Sequence, residues 1–464
     1  MSKTWLTKLL ALLMAFGLVA AACGGDDDDA ADTDAGSTED EGSEDDAAEE
    51  DEESDEAMEE DEESDEAMEE EDDAMEEEEG AMAEGDGVLT IGTIFPVTGD
   101  LAFLGPAEVQ GAELALADIN AAGGVLGGDV VLEQGDSGDT TTDIANTEVD
   151  RLLALGADAI MGAASSAVSL TVIDKITGAG VIQFSPANTS PQFTDYDDNG
   201  LYFRTAPSDL LQGRVLANAV LDQGNETASV LFRQESYGQG LADAFLENFE
   251  ASGGVIDEFL PYAIDVESFD AEIDSIVEAG SDAVIVIGFA ESANILTTMH
   301  ERGIGPTSDT NVWGVDGNDN IDGEMADPTI LEGMKQTVPS VDLGTIDDFI
   351  TRLEEAMPAD SATAYGAETY DSVVIVALAA ELAGSDAGVD IAAEINGVTT
   401  GGEKCTTFAD CKAIIEGGGD PDYDGLGGPY EFVDAGEPAA ASFRIQTYGT
   451  DGRDDTADEY VFAS

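Results

Sequence analysis

The chain is poor in basic residues, with 14 Lys and Arg against 104 Asp and Glu and a formal net charge of −90. This balance leaves no basic patch to hold phosphates, which excludes nucleic-acid binding. Histidine occurs once and cysteine three times, and the sequence shows no metal cluster and no GxSxG nucleophile motif with a histidine partner. We therefore predict a protein that is not an enzyme and needs no cofactor or metal.

Residues 1–22 have the layout of a secretory signal peptide. Lys3 and Lys8 precede an apolar run that is too short to span a bilayer. Small residues then lead to Cys23, in a pattern that resembles the processing box of a bacterial lipoprotein. In such a protein Cys23 carries the lipid and becomes the mature N-terminus. We expect an extracytoplasmic protein that is lipid-anchored to the cell membrane, and an ordinary secreted protein is the alternative.

The segment 23–86 is acidic and repetitive. Residues 24–86 hold 37 Asp and Glu and no Lys or Arg, and DEESDEAMEE occurs at both 51–60 and 61–70. Such a composition cannot bury enough apolar surface to offset the entropy of ordering, and its like charges extend the chain. We predict a disordered tether that holds the domain 87–464 clear of an anionic membrane surface.

Apolar runs rich in Val and Ile alternate with amphipathic helices along residues 87–464. One predicted helix has Val109, Ala112, Leu116 and Ile119 on a face, and another has Phe269, Ile273, Ile276 and Val277. Repeated βα units imply parallel sheets, and two series of strands suggest two similar lobes. The apolar region 361–383 carries acidic residues and is predicted to be a core helix. The first series of strands is LTIGTIF (89–95), DVVLEQ (129–134), DAIMG (158–162) and GVIQFS (180–185). The second is LYFRT (201–205), ASVLFR (228–233), DAVIVIGF (282–289) and NVWGVD (311–316).

Cys405 and Cys411 are the remaining cysteines. Outside the cytoplasm we expect them to form a disulfide. Residues six apart in an unbroken helix rise about 9 Å, which is beyond disulfide reach. The bond is therefore plausible only if Cys405 precedes a helix for which Thr407 is the N-cap. Two reduced, buried thiols are the alternative.

Ligands of open α/β sheets bind beyond the carboxyl ends of the strands. The segments that follow the predicted strands supply hydroxyls, backbone amides at helix starts, aromatic rings and one carboxylate, that of Asp316. Helix N-termini with Ser and Thr favour an anionic group, and a lone carboxylate opposite suits a cation. This combination predicts a site for a zwitterion.

Five segments, taken in order, resemble the type I periplasmic-binding-protein family. The closest branch is the branched-chain (Leu/Ile/Val) amino-acid-binding proteins of ABC importers. The resemblance implies two Rossmann-like lobes, each a parallel sheet flanked by helices, joined by a three-strand hinge. Lobe 1 would span about 87–207 and 337–440, and lobe 2 about 208–336 and 441–464. The segments are IGTIFPVTGDLAFLGPAEVQGAELALADINAAGGVLGG (91–128), GAASSAVS (162–169), FSPANTSPQFTD (184–195), SYGQGLADAF (236–245) and WGVDGN (313–318).

The resemblance also implies roles for residues that match the family pattern. Ser166 and Thr189 would hold the ligand carboxylate, and Asp316 with the carbonyl of Ala187 would hold the ammonium. Contacts to the rest of the ligand would come from Tyr237, Phe289 and Leu104. Each residue also has a purely structural interpretation, since Ser and Thr cap helices, aromatic residues fill cores and Asp316 precedes a glycine.

The implied function is that of an extracytoplasmic substrate-binding lipoprotein, a monomer that delivers an amino acid to ABC permease subunits. A receptor for amides, urea or another small polar metabolite is the alternative on the same fold. A secreted hydrolase and a sensor ectodomain have less support.

A set of acidic residues near the C-terminus also has the spacing of a calcium-binding loop. Pro421 and Pro429 interrupt this segment, and a turn is the preferred interpretation. Its residues are Asp420, Asp422, Asp424, Gly425 and Glu431.

Overall fold

The computed structural model describes residues 85–464 except 267, 360, 451 and 454–456. The predicted signal peptide, the lipidation site Cys23 and the tether up to residue 84 lie outside the described residues. The beginning of the described chain is held by Asp386. Its carboxylate accepts hydrogen bonds from the backbone N–H groups of Asp86, Gly87 and Val88, at 2.9, 2.6 and 3.0 Å.

The strands of the described chain form three sheets. The first sheet contains β1 (Thr90–Phe95), β2 (Val131–Asp136), β3 (Ala159–Gly162), β4 (Ile182–Ser185) and β5 (Tyr202–Arg204). The second contains β6 (Thr227–Arg233), β7 (Val255–Tyr262), β8 (Ala283–Ile287), β9 (Asn311–Val315), β10 (Lys335–Pro339), β14 (Ala441–Gly449), β15 (Gly452–Arg453) and β16 (Glu459–Ala463). The third contains β11 (Glu403–Cys405), β12 (Pro421–Gly425) and β13 (Gly428–Pro429).

The helices lie between these strands. The first three are α1 (Gly105–Ala121), α2 (Ile144–Ala154) and α3 (Ser166–Gly178). The next five are α4 (Asp209–Asp222), α5 (Ser236–Ala251), α6 (Asp270–Ala279), α7 (Ser292–Arg302) and α8 (Ile321–Glu324). The last four are α9 (Asp347–Ala356), α10 (Gly366–Ala383), α11 (Gly388–Ile395) and α12 (Phe408–Glu416).

Lobe 1 is built on the first sheet, in which all five strands are parallel and follow the order β2-β1-β3-β4-β5. Strands β3 and β4 are buried along their whole length, because helices cover both faces of a parallel sheet. One face packs against α1 and α10, which belong to the same hydrophobic core as β1, β3 and β4. The sheet is thus enclosed, and its strand ends are the part left open to form a site.

Lobe 2 is built on the second sheet, in the order β15-β14-β10-β9-β8-β6-β7, with β16 paired to β14. Strands β6 to β10 run parallel, and β14 returns antiparallel to β10. The chain passes from lobe 1 to lobe 2 after β5, goes back after β10 to place α9 on α1, and crosses a third time before β14. Three connections therefore join the two lobes.

Three details differ from the sequence prediction. The sequence pattern assigns the run 201–205 to the second series of strands, which is wrong, because β5 pairs with β4 in the first sheet. The second predicted strand, 129–134, is displaced to 131–136, since β2 is an edge strand whose position depends on pairing with β1 rather than on burial. Val277, predicted on the apolar face of its helix, is 40% exposed.

Helix α10 is the predicted core helix of region 361–383, and most of its side chains are buried in lobe 1. In the described part of the chain no single helix is long and apolar enough to cross a membrane. The helical segments 366–383 and 388–399, which are bent by 106° relative to each other, together meet this criterion for a membrane span by length and composition alone.

Cys405 ends β11 and Cys411 lies in α12, so the helix begins between them, after Thr407. The structure joins their sulfur atoms in a disulfide with Cα atoms 5.3 Å apart. The Thr407 hydroxyl caps α12 by accepting the N–H of Asp410 at 3.1 Å.

The acidic segment after α12, which has calcium-loop spacing, is strand β12 and its turn. Its Asp422 and Asp424 pair with Lys404 Nζ at 3.0 and 2.9 Å. Over the described residues, no group of three or more His, Cys, Asp or Glu is arranged to hold a metal.

Candidate ligand-binding site

A small cavity of about 20 Å³ lies between the two lobes. Its walls come from segments that directly follow β1, β3, β4, β6, β8 and β9, together with the residue before α10. This is the edge of a parallel sheet at which α/β proteins bind ligands. The residues that line the cavity are Leu101, Leu104, Ala164, Ser165, Ser166, Ala187, Tyr237, Phe289, Asp316, Gly317 and Tyr365.

Lobe 1 presents the N-terminus of α3 to the cavity. Ser165 caps this helix, because its hydroxyl accepts the N–H of Val168 at 3.4 Å. The hydroxyl of Ser166 is therefore not the cap, and it accepts the N–H of Ser190 at 3.3 Å. Hydroxyls and N–H groups at a helix start favour an anion, so this wall suits a carboxylate.

The loop after β4 forms the neighbouring part of this wall, and Arg204 holds its conformation. The buried guanidinium donates from Nη1 to the carbonyls of Asn188 and Ser190, at 3.1 and 2.8 Å. It also forms an ion pair with Glu437. Thr189, between the two carbonyls, does not line the cavity, and its buried hydroxyl has no hydrogen-bond partner among the described residues.

Lobe 2 presents Asp316, the first residue after β9. Its Oδ1 accepts hydrogen bonds from Gln212 Nε2 and the Tyr237 hydroxyl, and its Oδ2 accepts one from the Tyr365 hydroxyl, each at 2.8 Å. Burial raises the pKa of Asp316, and these three hydrogen bonds oppose the rise. Burial and the Asp316 charge raise the pKa of both tyrosines well above the usual value, so both remain protonated donors.

An aromatic stack closes one side of the cavity. The rings of Tyr237 and Phe289 are stacked with centroids 5.4 Å apart, and the Arg233 guanidinium lies 4.6 Å from the Phe289 centroid. Gly317 permits this arrangement, because a Cβ there would lie 2.9 Å from the Tyr237 hydroxyl and 3.0 Å from Phe289. The ring faces give the cavity an apolar surface beside the Asp316 carboxylate.

Polar contacts between the lobes close the mouth of the cleft. Arg233 at the end of β6 in lobe 2 binds Asp100, which follows β1 in lobe 1, at 2.7 Å. The Ser190 hydroxyl of lobe 1 donates to the carbonyl of Ser236 in lobe 2 at 2.9 Å. Together with the bond from Tyr365 to Asp316, these contacts hold the two lobes against each other.

Sequence reasoning missed three groups around Asp316: Gln212, Tyr365 and a second buried carboxyl, that of Asp209. The sequence predicted only one carboxylate at this place. Asp209 is fully buried in the first turn of α4, and its backbone N–H donates to the carbonyl of Thr189 at 2.8 Å. It lies five residues after the end of β5, so examining what comes after LYFRT would have found it.

The structure brings together most of the predicted site residues. Of the seven, all except Thr189 line one cavity, with lobe 1 residues facing lobe 2 residues. Among the lining residues none is Lys or Arg, and several are apolar: Leu101, Leu104, Ala164, Ala187 and Phe289. The cavity thus has one wall with hydroxyls at a helix start, a carboxylate opposite and an apolar remainder.

Two α/β lobes, joined by three connections and closed over a small cavity at their strand ends, define a two-lobed binding protein for small molecules. Residues 88–452 match the model of the periplasmic binding protein family. The chain therefore belongs to that family, which confirms the predicted fold class and implies an extracytoplasmic location.

Relatives with named ligands are similar to this chain. Leu/Ile/Val-binding protein homolog 3 of Brucella melitensis is 27% identical over 308 residues, which are 64% of this chain and 80% of the relative. The isoleucine complex of the branched-chain amino acid transporter substrate-binding protein LivJ from Streptococcus pneumoniae has a TM-score of 0.66 at 22% identity, over 81% of this chain and 99% of the other. The leucine-binding protein LivK from Thermotoga maritima has a TM-score of 0.66 at 20% identity, over the same shares.

Proposed function

We propose that this protein is the substrate-binding lipoprotein of an ABC importer and that it binds an α-amino acid of the branched-chain type. The observation that carries the proposal is one cavity in which the helix start at Ser166 faces the Asp316 carboxylate. An α-amino acid has a carboxylate and an ammonium group on one carbon, so it can satisfy both walls at once.

In this proposal the ligand carboxylate binds the Ser166 hydroxyl and the backbone N–H groups of the α3 start and of Thr189. The Thr189 hydroxyl lies outside the cavity lining and acts on Asp209, whose pKa it lowers, so its predicted contact with the ligand carboxylate stays a prediction. The ammonium group donates to Asp316 and to the carbonyl of Ala187. Tyr237 orients the Asp316 carboxylate through their 2.8 Å hydrogen bond.

The apolar lining supports an aliphatic side chain on the ligand. Leu101, Leu104 and Phe289 line the cavity beside the polar groups. An acidic ligand side chain would lack a cationic partner among the lining residues.

The energetics are sufficient for useful affinity. A hydrogen bond to a charged group contributes about 1.5–3 kcal/mol. Three or four such bonds in a cleft closed to water offset the cost of ordering the ligand and leave micromolar or tighter binding. Closure by the contact from Arg233 to Asp100 excludes water from these bonds.

A thermal-shift screen of the purified protein tests the ligand class, because a bound ligand raises stability by RT ln(1 + [L]/Kd). We expect L-leucine, L-isoleucine and L-valine to raise the melting temperature. Leucinamide lacks the carboxylate and 4-methylpentanoate lacks the ammonium group, so both should raise it far less. Stabilisation by acetamide or urea without any by amino acids would refute the proposal and favour a receptor for small amides.

The membrane part of the proposal depends on Cys23 and the acidic tether. Lipid on Cys23 anchors the chain, the tether spaces the domain from the membrane, and the domain acts as a monomer that delivers its ligand to permease subunits. Replacing Cys23 by Ser should move the protein from the membrane fraction to the soluble extracytoplasmic fraction. An unchanged distribution would contradict the lipid anchor.

A further inference from the structure

The carboxyl of Asp209 is the most unusual group beside the cavity. The residue is 0% exposed, and neither of its buried carboxyl oxygens has a donor within 3.5 Å in the part of the chain that is described. The Thr189 hydroxyl is the one side-chain donor that still favours its charged form. Leaving such a group unpaired is costly. The fully buried Asp371 of lobe 1 instead accepts four hydrogen bonds. Glu108 in α1 is the other described carboxyl whose two buried oxygens both lack a partner, and what distinguishes Asp209 from it is its position next to Asp316.

Asp209 lies close to Asp316. It shares the first turn of α4 with Gln212, three residues on, and such residues lie on one face of a helix. Gln212 donates to Asp316 at 2.8 Å, so that face of α4 is directed at Asp316. The charge of Asp316 is the largest influence on the pKa of Asp209 after burial, and both raise it well above its usual value.

The groups around this pair supply little compensating charge. From lobe 1, the Thr189 hydroxyl and the Arg204 guanidinium lower the pKa of Asp209, but Arg204 is already bound to Glu437. From α5, Glu235 adds negative charge. The Tyr237 and Tyr365 hydroxyls donate to Asp316 and not to Asp209.

Two neighbouring buried carboxyls without a cation cannot both be ionised, so such a pair retains one proton. Asp316 accepts three side-chain hydrogen bonds that favour its charged form, whereas only the Thr189 hydroxyl does so for Asp209. The retained proton therefore belongs mainly on Asp209 when the cleft has no ligand.

We infer that Asp209 and Asp316 form a proton-sharing pair that gives up its proton when a ligand ammonium group binds, which makes Asp209 a determinant of specificity for amines. The inference rests on the proposed amino-acid ligand. The ammonium group supplies the missing cation, Asp209 ionises, and its proton passes to the buffer. A neutral or anionic ligand would leave the proton in place and would gain nothing from Asp209.

The inference makes binding pH-dependent. Because one proton is released per ligand, affinity for an amino acid rises with pH, by at most about tenfold per unit, until the ligand-free pair has lost its proton. Affinity depends on pH in this way only at pH values where the ligand-free pair of carboxyls holds the proton and the complex with the amino acid does not. Replacing Asp209 by Asn removes the exchangeable proton while keeping the side-chain shape.

Calorimetry with L-leucine in phosphate and in Tris at pH 7 counts the released protons, because the two buffers differ in ionisation enthalpy. We expect up to one proton from the unmodified protein and none from Asp209→Asn. The control is Asp158→Asn, because Asp158 has a pKa raised to about 7 but precedes β3, at the strand end away from the cavity. That variant should release protons as the unmodified protein does.

Each result is informative. If the unmodified protein binds leucine and releases no proton, the shared proton is refuted while the proposed function stands, whether or not Asp209→Asn folds. Equal release by Asp209→Asn and the unmodified protein also refutes it. If the unmodified protein binds none of leucine, isoleucine and valine, the proposed function fails and this inference fails with it.

Discussion

Replacing Asp316 by Asn is the sharpest test of the cavity as an amino-acid site. Asn has the same shape and keeps an oxygen that can accept from Gln212 or Tyr237, so the local packing is preserved. The change removes the only charge that the cavity lining offers to an ammonium group. It also replaces Oδ2, which accepts a hydrogen bond from the Tyr365 hydroxyl, by an NH₂ group. The Tyr365 hydroxyl can then accept a hydrogen bond from that NH₂ group instead of donating one.

The expected loss is that of a hydrogen bond to a charged group, about 1.5–3 kcal/mol. Since 1.4 kcal/mol is a factor of ten, Kd for L-leucine should rise by about ten- to a hundredfold. The free energy of unfolding without ligand should change little, because neutralising a buried carboxylate removes a desolvation cost as it weakens three hydrogen bonds. Isothermal titration calorimetry measures Kd, and circular dichroism checks the fold.

Two comparisons make the result specific. Asp327→Asn changes an exposed carboxylate of lobe 2 that caps a short helical turn, and it should leave Kd unchanged. Any residual affinity for 4-methylpentanoate, which has no ammonium group, should not fall in Asp316→Asn. A folded Asp316→Asn protein with unaltered Kd for leucine would refute the assignment of the ammonium site.

Three further predictions concern stability. Replacing Arg204 by Met leaves Glu437 buried without its cation and should cost about 3–5 kcal/mol in urea unfolding at pH 7. Replacing Cys405 and Cys411 by Ser removes a short covalent loop and should cost about 2 kcal/mol by the chain-entropy relation, also in urea. Replacing Asp158 by Asn should stabilise the protein more at pH 8 than at pH 5, because burial raises the pKa of this carboxyl to about 7.

The sign of the Asp158 effect follows from proton binding. The native carboxyl keeps its proton up to about pH 7, whereas the unfolded one loses it near pH 4. The native state therefore holds more protons between these values, and the contribution of this group to stability is lost as pH rises through 7. A difference between variant and unmodified protein that does not change with pH would contradict the raised pKa.

Controls also separate the other two predictions from general damage. Arg204→Lys keeps the charge but loses the fork that reaches two carbonyls, so it should fall between the Met variant and the unmodified protein. A reducing agent should lower the stability of the unmodified protein and leave the double Ser variant unaffected. An unaltered unfolding midpoint in the Met variant or the double Ser variant would contradict the corresponding prediction.

Much of the architecture follows from local pattern. Buried strands such as β3 and β8 are continuous apolar runs, and their length and flanking glycines distinguish them from helices. Edge strand β2 and strand β7 are partly exposed along most of their length. Their sequences therefore lack the continuous apolar run that identifies a buried strand. The assignment of β5 to a sheet depended on which neighbour it pairs with, which composition does not express.

The sequence by itself determined the α/β class, the acidic character, and the polar residues at the strand ends, of which Ser166 and Asp316 line one cavity. Only the tertiary structure showed that α4, which enters lobe 2 after the first crossing, brings Asp209 and Gln212 to Asp316. It likewise showed that Tyr365, from the other lobe, donates to the same carboxylate. Hydrogen bonds and charge act through space over a few ångströms, so groups far apart in sequence become one site only when the lobes close.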